Sequence, residues 1–139
     1  MKILHVEAGR RVYGGGRQVL YLMEGLRQRG VEGMLACPRH SPLAQAAAAK
    51  GLDTRPLAMG GDLDAAVTLR LRRLIRSERP DLVHVHSRRG ADLWGALAAR
   101  LVRPRPRLVV SRRVDNPEPA SWARRKYGLY DRVVTISER

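Results

Sequence analysis

Blocks of apolar and polar positions alternate along the 139-residue chain with two different periods. The opening run "KILHVEAG" predicts a strand buried on both faces. Three glycines, Gly14, Gly15 and Gly16, precede "RQVLYLMEGLRQRG", where Val19, Leu22, Met23 and Leu26 fall at helical spacing and Gly30 marks the stop. "VEGMLACP" predicts a second strand closed by Pro38. "SPLAQAAAAKG" has helix punctuation: Ser41 as N-cap, Pro42 at the first helical position and Gly51 beyond the end. "DTRPLAM" predicts a weak third strand, and its Pro56 suggests an edge position. In "DLDAAVTLRLRRLIRSERP", Leu63, Val67, Leu71, Leu74 and Ile75 share a helical face, with Asp62 able to cap it and Pro80 ending it.

The second half repeats the rhythm. "DLVHVHS" has the strongest strand pattern in the chain. "GADLWGALAARLV" predicts a helix with Leu93, Leu97 and Leu101 on one face. "RLVVSRR" predicts a strand, "ASWARRKYGLY" a helix and "DRVVTIS" a last strand. Alternating strands and helices of this kind predict an α/β domain, a doubly wound parallel sheet of about six strands with helices on both faces. "RPRPR" at 103–107 is a short stiff loop, and no internal repeat stands out. Ending at "TISER", directly after a strand, leads us to expect a truncated domain, with part of its site elsewhere.

Composition narrows the class. No apolar run reaches the ~18 residues of a membrane span. The first residues lack the long apolar middle of a signal peptide. The single Cys37 allows no disulfide framework within one chain and reads as a small buried hydrophobe at a strand end. A cytoplasmic location is therefore expected. Charge changes the picture further: 27 Lys and Arg against 13 Asp and Glu give a net +14. Only three of the basic residues are lysines, which suggests a codon bias toward arginine, but codon bias does not explain the excess over acid. A polyanionic partner follows, whether phosphorylated substrate, anionic membrane surface or nucleic acid. Aromatic residues are 4% and do not interleave with the basic clusters, so a stacking platform for single-stranded nucleic acid is poorly supported.

In an open α/β sheet, ligands bind at the carboxyl ends of the strands. Gly14, Gly15 and Gly16 follow the first strand and open a helix, where backbone N–H groups and the helix dipole favour an anion. The run lacks the dinucleotide spacing and the P-loop lysine, and by itself it fits a flexible connector as well. His84 and His86 share a strand face by period-two alternation. A metal site needs a third ligand and none stands nearby in sequence, so no metal is expected. His84 reads as a structural histidine, while His86 fits a substrate hydrogen bond or a structural role equally. "SRR" follows two strands, as Ser87-Arg88-Arg89 and Ser111-Arg112-Arg113. Arginine forks match phosphate and carboxylate, and the four arginines are expected to form one basic mouth serving an acceptor. Solvated arginines in an arginine-rich chain are the plain alternative. Asp115 is placed to orient these arginines or to bind a sugar hydroxyl.

Taken in order, "KILHVEAG", "GGGRQVLYLMEGLRQRG", "PDLVHVHSRRGADLWGALAARL", "LVVSRRVDNP" and "YDRVVTISER" resemble the N-terminal half of retaining family-4 glycosyltransferases of the GT-B fold. Gly15, Gly16 and Leu22 match the family's first loop, and Asp131, Val133 and Ser137 match its D-x-V-x-x-x-S stretch. The resemblance implies a Rossmann-like, acceptor-side domain facing a second domain that binds a nucleotide-sugar. It implies that Gly15 and Gly16 approach the donor diphosphate, with no cofactor or metal. Family members often carry a histidine at the end of the fifth strand, where this chain has Arg113. That departure points to an anionic acceptor. The implied acceptor is a lipid-linked or envelope glycan, with His86, Ser87, Arg88, Arg89, Arg112, Arg113 and Asp115 on the acceptor side. The basic surface allows a peripheral position on the inner face of the membrane. The donor-binding half is absent from this chain, so the domain alone is expected to be inactive. Two other readings stay open: a stand-alone anion-binding module without transferase activity, and a nucleic-acid binder, which the charge allows but no motif supports.

Overall fold

A computed structural model of the chain describes residues 1–10, 12, 15–59, 66–86, 91–112 and 128–135. Ten elements follow in chain order: β1 (Lys2–Val6), α1 (Gly15–Gln28), β2 (Glu32–Pro38), α2 (Pro42–Ala49), β3 (Asp53–Leu57), α3 (Ala66–Glu78), β4 (Leu82–Val85), α4 (Ala91–Arg100), β5 (Arg107–Arg112) and β6 (Arg132–Thr135). The six strands form one parallel sheet in the order β3-β2-β1-β4-β5-β6. This is a Rossmann-like doubly wound fold. Strand order reverses between β1 and β4, the position where open sheets of this kind bind ligands beyond the carboxyl ends. Pro56 lies in β3, and β3 is an edge strand as its missing N–H requires.

Alternation along each buried strand divides the core into two layers. Leu4, Val6, Val83, Val85, Leu108 and Val110 pack with Val67, Leu71 and Ile75 of α3 and with Trp94 and Ala98 of α4. On the other face Leu35 and Cys37 pack with Val19, Leu20 and Met23 of α1 and with Leu43 and Ala47 of α2. Ser41 caps α2 as expected: its Oγ accepts from Ala44 N at 3.1 Å and donates to the Pro38 carbonyl at 2.7 Å.

One helix turns a different face inward. Leu97 and Leu101 of the expected α4 stripe are exposed, and Trp94, Ala98, Ala99 and Val102 are buried instead. The cause is close packing. A Cβ built on Gly95 would lie 2.8 Å from Val85 Cγ2, so the helix sits nearer the sheet than a leucine stripe would allow. The helix expected over "ASWARRKYGLY" and the Asp62 cap fall outside the described residues. No described helix is long and apolar enough to cross a membrane.

Candidate functional site

Buried polar groups gather where β1 and β4 lie side by side. Register explains their meeting. His5 pairs with Leu35 on one side and with His84 on the other, and His84 pairs with Val109. One row of side chains thus runs across the sheet with two imidazoles at its centre. His86, two residues beyond His84, adds a third on the same face. His5 Nδ1 lies 2.8 Å from His86 Nε2, and the His84 and His86 rings are 3.8 Å apart. His84 Nε2 lies 2.6 Å from Ser111 Oγ on the neighbouring β5. His5 is 0% exposed and His86 4%, while His84 is half-buried.

Following β1 in the chain, α1 begins with Gly15, and Gly16 is buried in its first turn. The first turn of α1 holds no acidic residue, so its N–H groups and dipole present undiluted positive potential. Two of the three glycines are therefore the start of an ordered helix. Gly14 lies outside the described residues. Glu7, just past the end of β1, is buried, and its Oε2 accepts from Gly9 N at 3.0 Å. Cys37, at the end of β2, is fully buried. Burial, with the neighbouring Glu7 carboxylate adding to it, pushes its thiol pKa up to about 11, so the sulfur stays protonated and unreactive at neutral pH.

The expected basic mouth is only partly in view. β4 and β5 are hydrogen-bonded neighbours, as the single connecting helix predicted. Arg112 closes β5, though its side chain lies outside the description. Ser87, Arg88, Arg89, Arg113 and Asp115 also lie outside the described residues. Ser111 turns inward to His84.

The family profile described as Glycosyltransferase Family 4 matches residues 12–139. This chain belongs to that family. No curated protein sequence matches the chain significantly. Among solved structures it is similar to Acinetobacter baumannii MurG, with TM-score 0.74 and 14% identity over 96% of this chain and 40% of that one. It is also similar to a glycosyltransferase from Rickettsia africae ESF-5, with TM-score 0.77 and 20% identity over 98% of this chain and 36% of that one. A third similar structure is Anabaena Alr3699/HepE in complex with UDP and glucose, with TM-score 0.63, 14% identity, and 80% and 29% of the two chains covered. The chain thus spans two-fifths or less of these structures. The shared fold is the N-terminal half of GT-B.

Two of the family's motif residues take structural parts. Asp131 Oδ2 accepts from Leu108 N at 2.7 Å, and its carboxylate pairs with Arg105 at 3.0–3.1 Å. Asp81, which opens the D-x-V-H-x-H stretch, accepts from Lys2 N at 2.8 Å. Sequence reasoning missed His5 and Glu7. The available signal was two polar residues at alternate positions, His5 within the opening apolar run and Glu7 just past its end. The premise that no third ligand stands near His84 and His86 is also corrected. His5 is remote in the chain, and the parallel pairing of β1 with β4 brings it there.

Proposed function

We propose that this chain is the acceptor-side domain of a retaining glycosyltransferase that moves a sugar from a nucleotide-sugar to a lipid-linked or envelope glycan. A second α/β domain supplies the nucleotide pocket, and the domain alone is inactive. The observation that carries the reading is the family match over residues 12–139, with Gly15 and Gly16 opening α1 directly after β1, one of the two strands at the switch point. The similar HepE structure holds UDP and glucose, and that of VinC holds dTDP, which supports a nucleotide-sugar donor.

In this reading the glycine turn lets the donor diphosphate approach the main chain of α1. Backbone N–H groups and the helix dipole then stabilise the charge that develops on the leaving diphosphate. Arg88, Arg89, Arg112 and Arg113, with Asp115 orienting them, bind an anionic group of the acceptor. His86 and Ser87 stand on the same acceptor side. The net charge of +14 supports work at an anionic membrane face, on its cytoplasmic side, with no resident cofactor in the transfer step.

Gly16→Val in the full-length protein tests this. Product formation from UDP- and dTDP-sugars on lipid-linked acceptors falls by about 100-fold or more, the scale of losing a backbone charge-stabilising site. Thermal melting and circular dichroism separate that loss from misfolding, and Gly16→Ala serves as the milder variant. Activity within a few-fold of the parent in a folded Gly16→Val protein would show that the glycines serve only as a joint.

A further inference from the structure

We propose that His5, His84 and His86 form a binding site for one divalent first-row transition ion, Zn²⁺ in the first instance, joining β1 to β4 at the switch point. The three residues each offer a ring nitrogen, and these atoms all lie within 4.8 Å of one another. Three imidazoles are a donor set suited to Zn²⁺, Co²⁺, Ni²⁺ and Cu²⁺. No carboxylate joins the cluster among the described residues, which argues against Mg²⁺ or Ca²⁺. The ligands come from two adjacent strands at the centre of a six-stranded sheet, so their backbones are held in place before any ion arrives. Ser111 Oγ holds the His84 ring through Nε2, an outer-shell partner of the kind that fixes the direction of a ligating histidine's other nitrogen. His84 is half-buried while His5 and His86 are buried, so an ion enters from the His84 side, where water completes its coordination.

The geometry requires the ring nitrogens to reach a common spacing: those now up to 4.8 Å apart draw together, and the pair at 2.8 Å opens. His5 Nδ1 and His86 Nε2 share a proton at 2.8 Å. Two nitrogens on one tetrahedral zinc, each bonded at ~2.0–2.1 Å, stand about 3.4 Å apart. Binding therefore separates the two rings by about half an ångström. The shared proton moves to the other nitrogen of its own ring, so two neutral imidazoles remain and no net proton is released. The site shares His86 with the acceptor side proposed above, but binding of the ion needs neither donor nor acceptor.

The test uses the full chain stripped with a chelator. It is titrated with Zn²⁺ by calorimetry and with Co²⁺ by visible absorption. The expected result is a saturable isotherm of one ion per chain, with the intense Co²⁺ bands of a four-coordinate site. His84→Gln and His86→Gln each weaken binding by about 100-fold or more, and Ser111→Ala by about tenfold. His40→Asn, which removes the exposed histidine remote from the cluster, leaves binding unchanged. If a ligand variant fails to fold, the ¹⁵N resonances of the unaltered chain decide. Zn²⁺ must shift the ring nitrogens of His5, His84 and His86 and spare those of His40. No saturable binding, an isotherm unchanged in both ligand variants, or shifts absent from the three rings would overturn the site.

Discussion

The two ends of the sheet follow opposite designs. At the amino ends a single device occurs twice. Asp81 N donates to the Lys2 carbonyl at 2.8 Å, and Asp81 Oδ2 accepts from Lys2 N at 2.8 Å. Asp131 N donates to the Leu108 carbonyl at 2.8 Å, and Asp131 Oδ2 accepts from Leu108 N at 2.7 Å. Each aspartate closes a ring with the first residues of the neighbouring strand and sets the register from that end. Around them Glu78 pairs with Lys2 and with Arg55, both at 3.2 Å, and Arg55 also pairs with Asp53. Carboxylates and basic groups there satisfy one another near water. Toward the carboxyl ends of β1, β4 and β5 the described residues include imidazoles, a hydroxyl and a carboxylate that are largely buried. Burying such groups costs free energy unless they are hydrogen-bonded, and here they are: His5 meets His86, His84 meets Ser111 and Glu7 accepts from Gly9 N. The amino ends tie strands together, and in the function proposed above the carboxyl ends carry the transfer.

Substitutions should break along the same line. The largest effect is the loss of transfer in Gly16→Val at unchanged fold, as above. Asp131→Ala should do the reverse, destabilising the chain by about 2 kcal/mol and leaving transfer by the folded protein intact. Most of that comes from the charge-assisted bond to Leu108 N. The Arg105 pair adds little, because both side chains are about one-third exposed and water screens them. Urea denaturation measures the stability. A midpoint unchanged by Asp131→Ala would remove the structural meaning assigned to the amino ends. Ser41→Ala is the instructive exception. It stands past the carboxyl end of β2, yet its bonds are those of a helix cap, so it should cost about 1 kcal/mol and spare activity.

The smallest effect is one of pH. Hydrogen bonding from Arg105 holds the Asp131 carboxyl below its usual value, and hydrogen bonding from Lys2 does the same for Glu78. Both groups bind protons more weakly folded than unfolded. Their contribution is therefore complete above the unfolded values near ~4 and is lost as pH falls through the lower folded values. Urea midpoints should hold steady from neutral pH to about 5 and then decline, and Asp131→Ala should flatten that decline. An equal decline in parent and variant would mean that other carboxylates govern acid stability.

Local pattern determined much of this molecule. Short apolar runs bounded by turn residues set the six strands, helical spacing and the Ser41-Pro42 punctuation set the helices, and alternation of the two set a parallel doubly wound sheet, because each of these depends on residues near one another in the chain. Motif order was enough to reach the glycosyltransferase family. The inward face of α4 was not legible, because its sequence carries two apolar faces and only the contact of Gly95 with Val85 chooses between them. Nor could the motif separate Asp81 and Asp131, which join strands at their amino ends, from residues at the carboxyl ends. The meeting of His5 with His84 and His86 was hidden for the same reason. It is a product of strand order and register, and those are decided by packing between segments that the chain holds far apart.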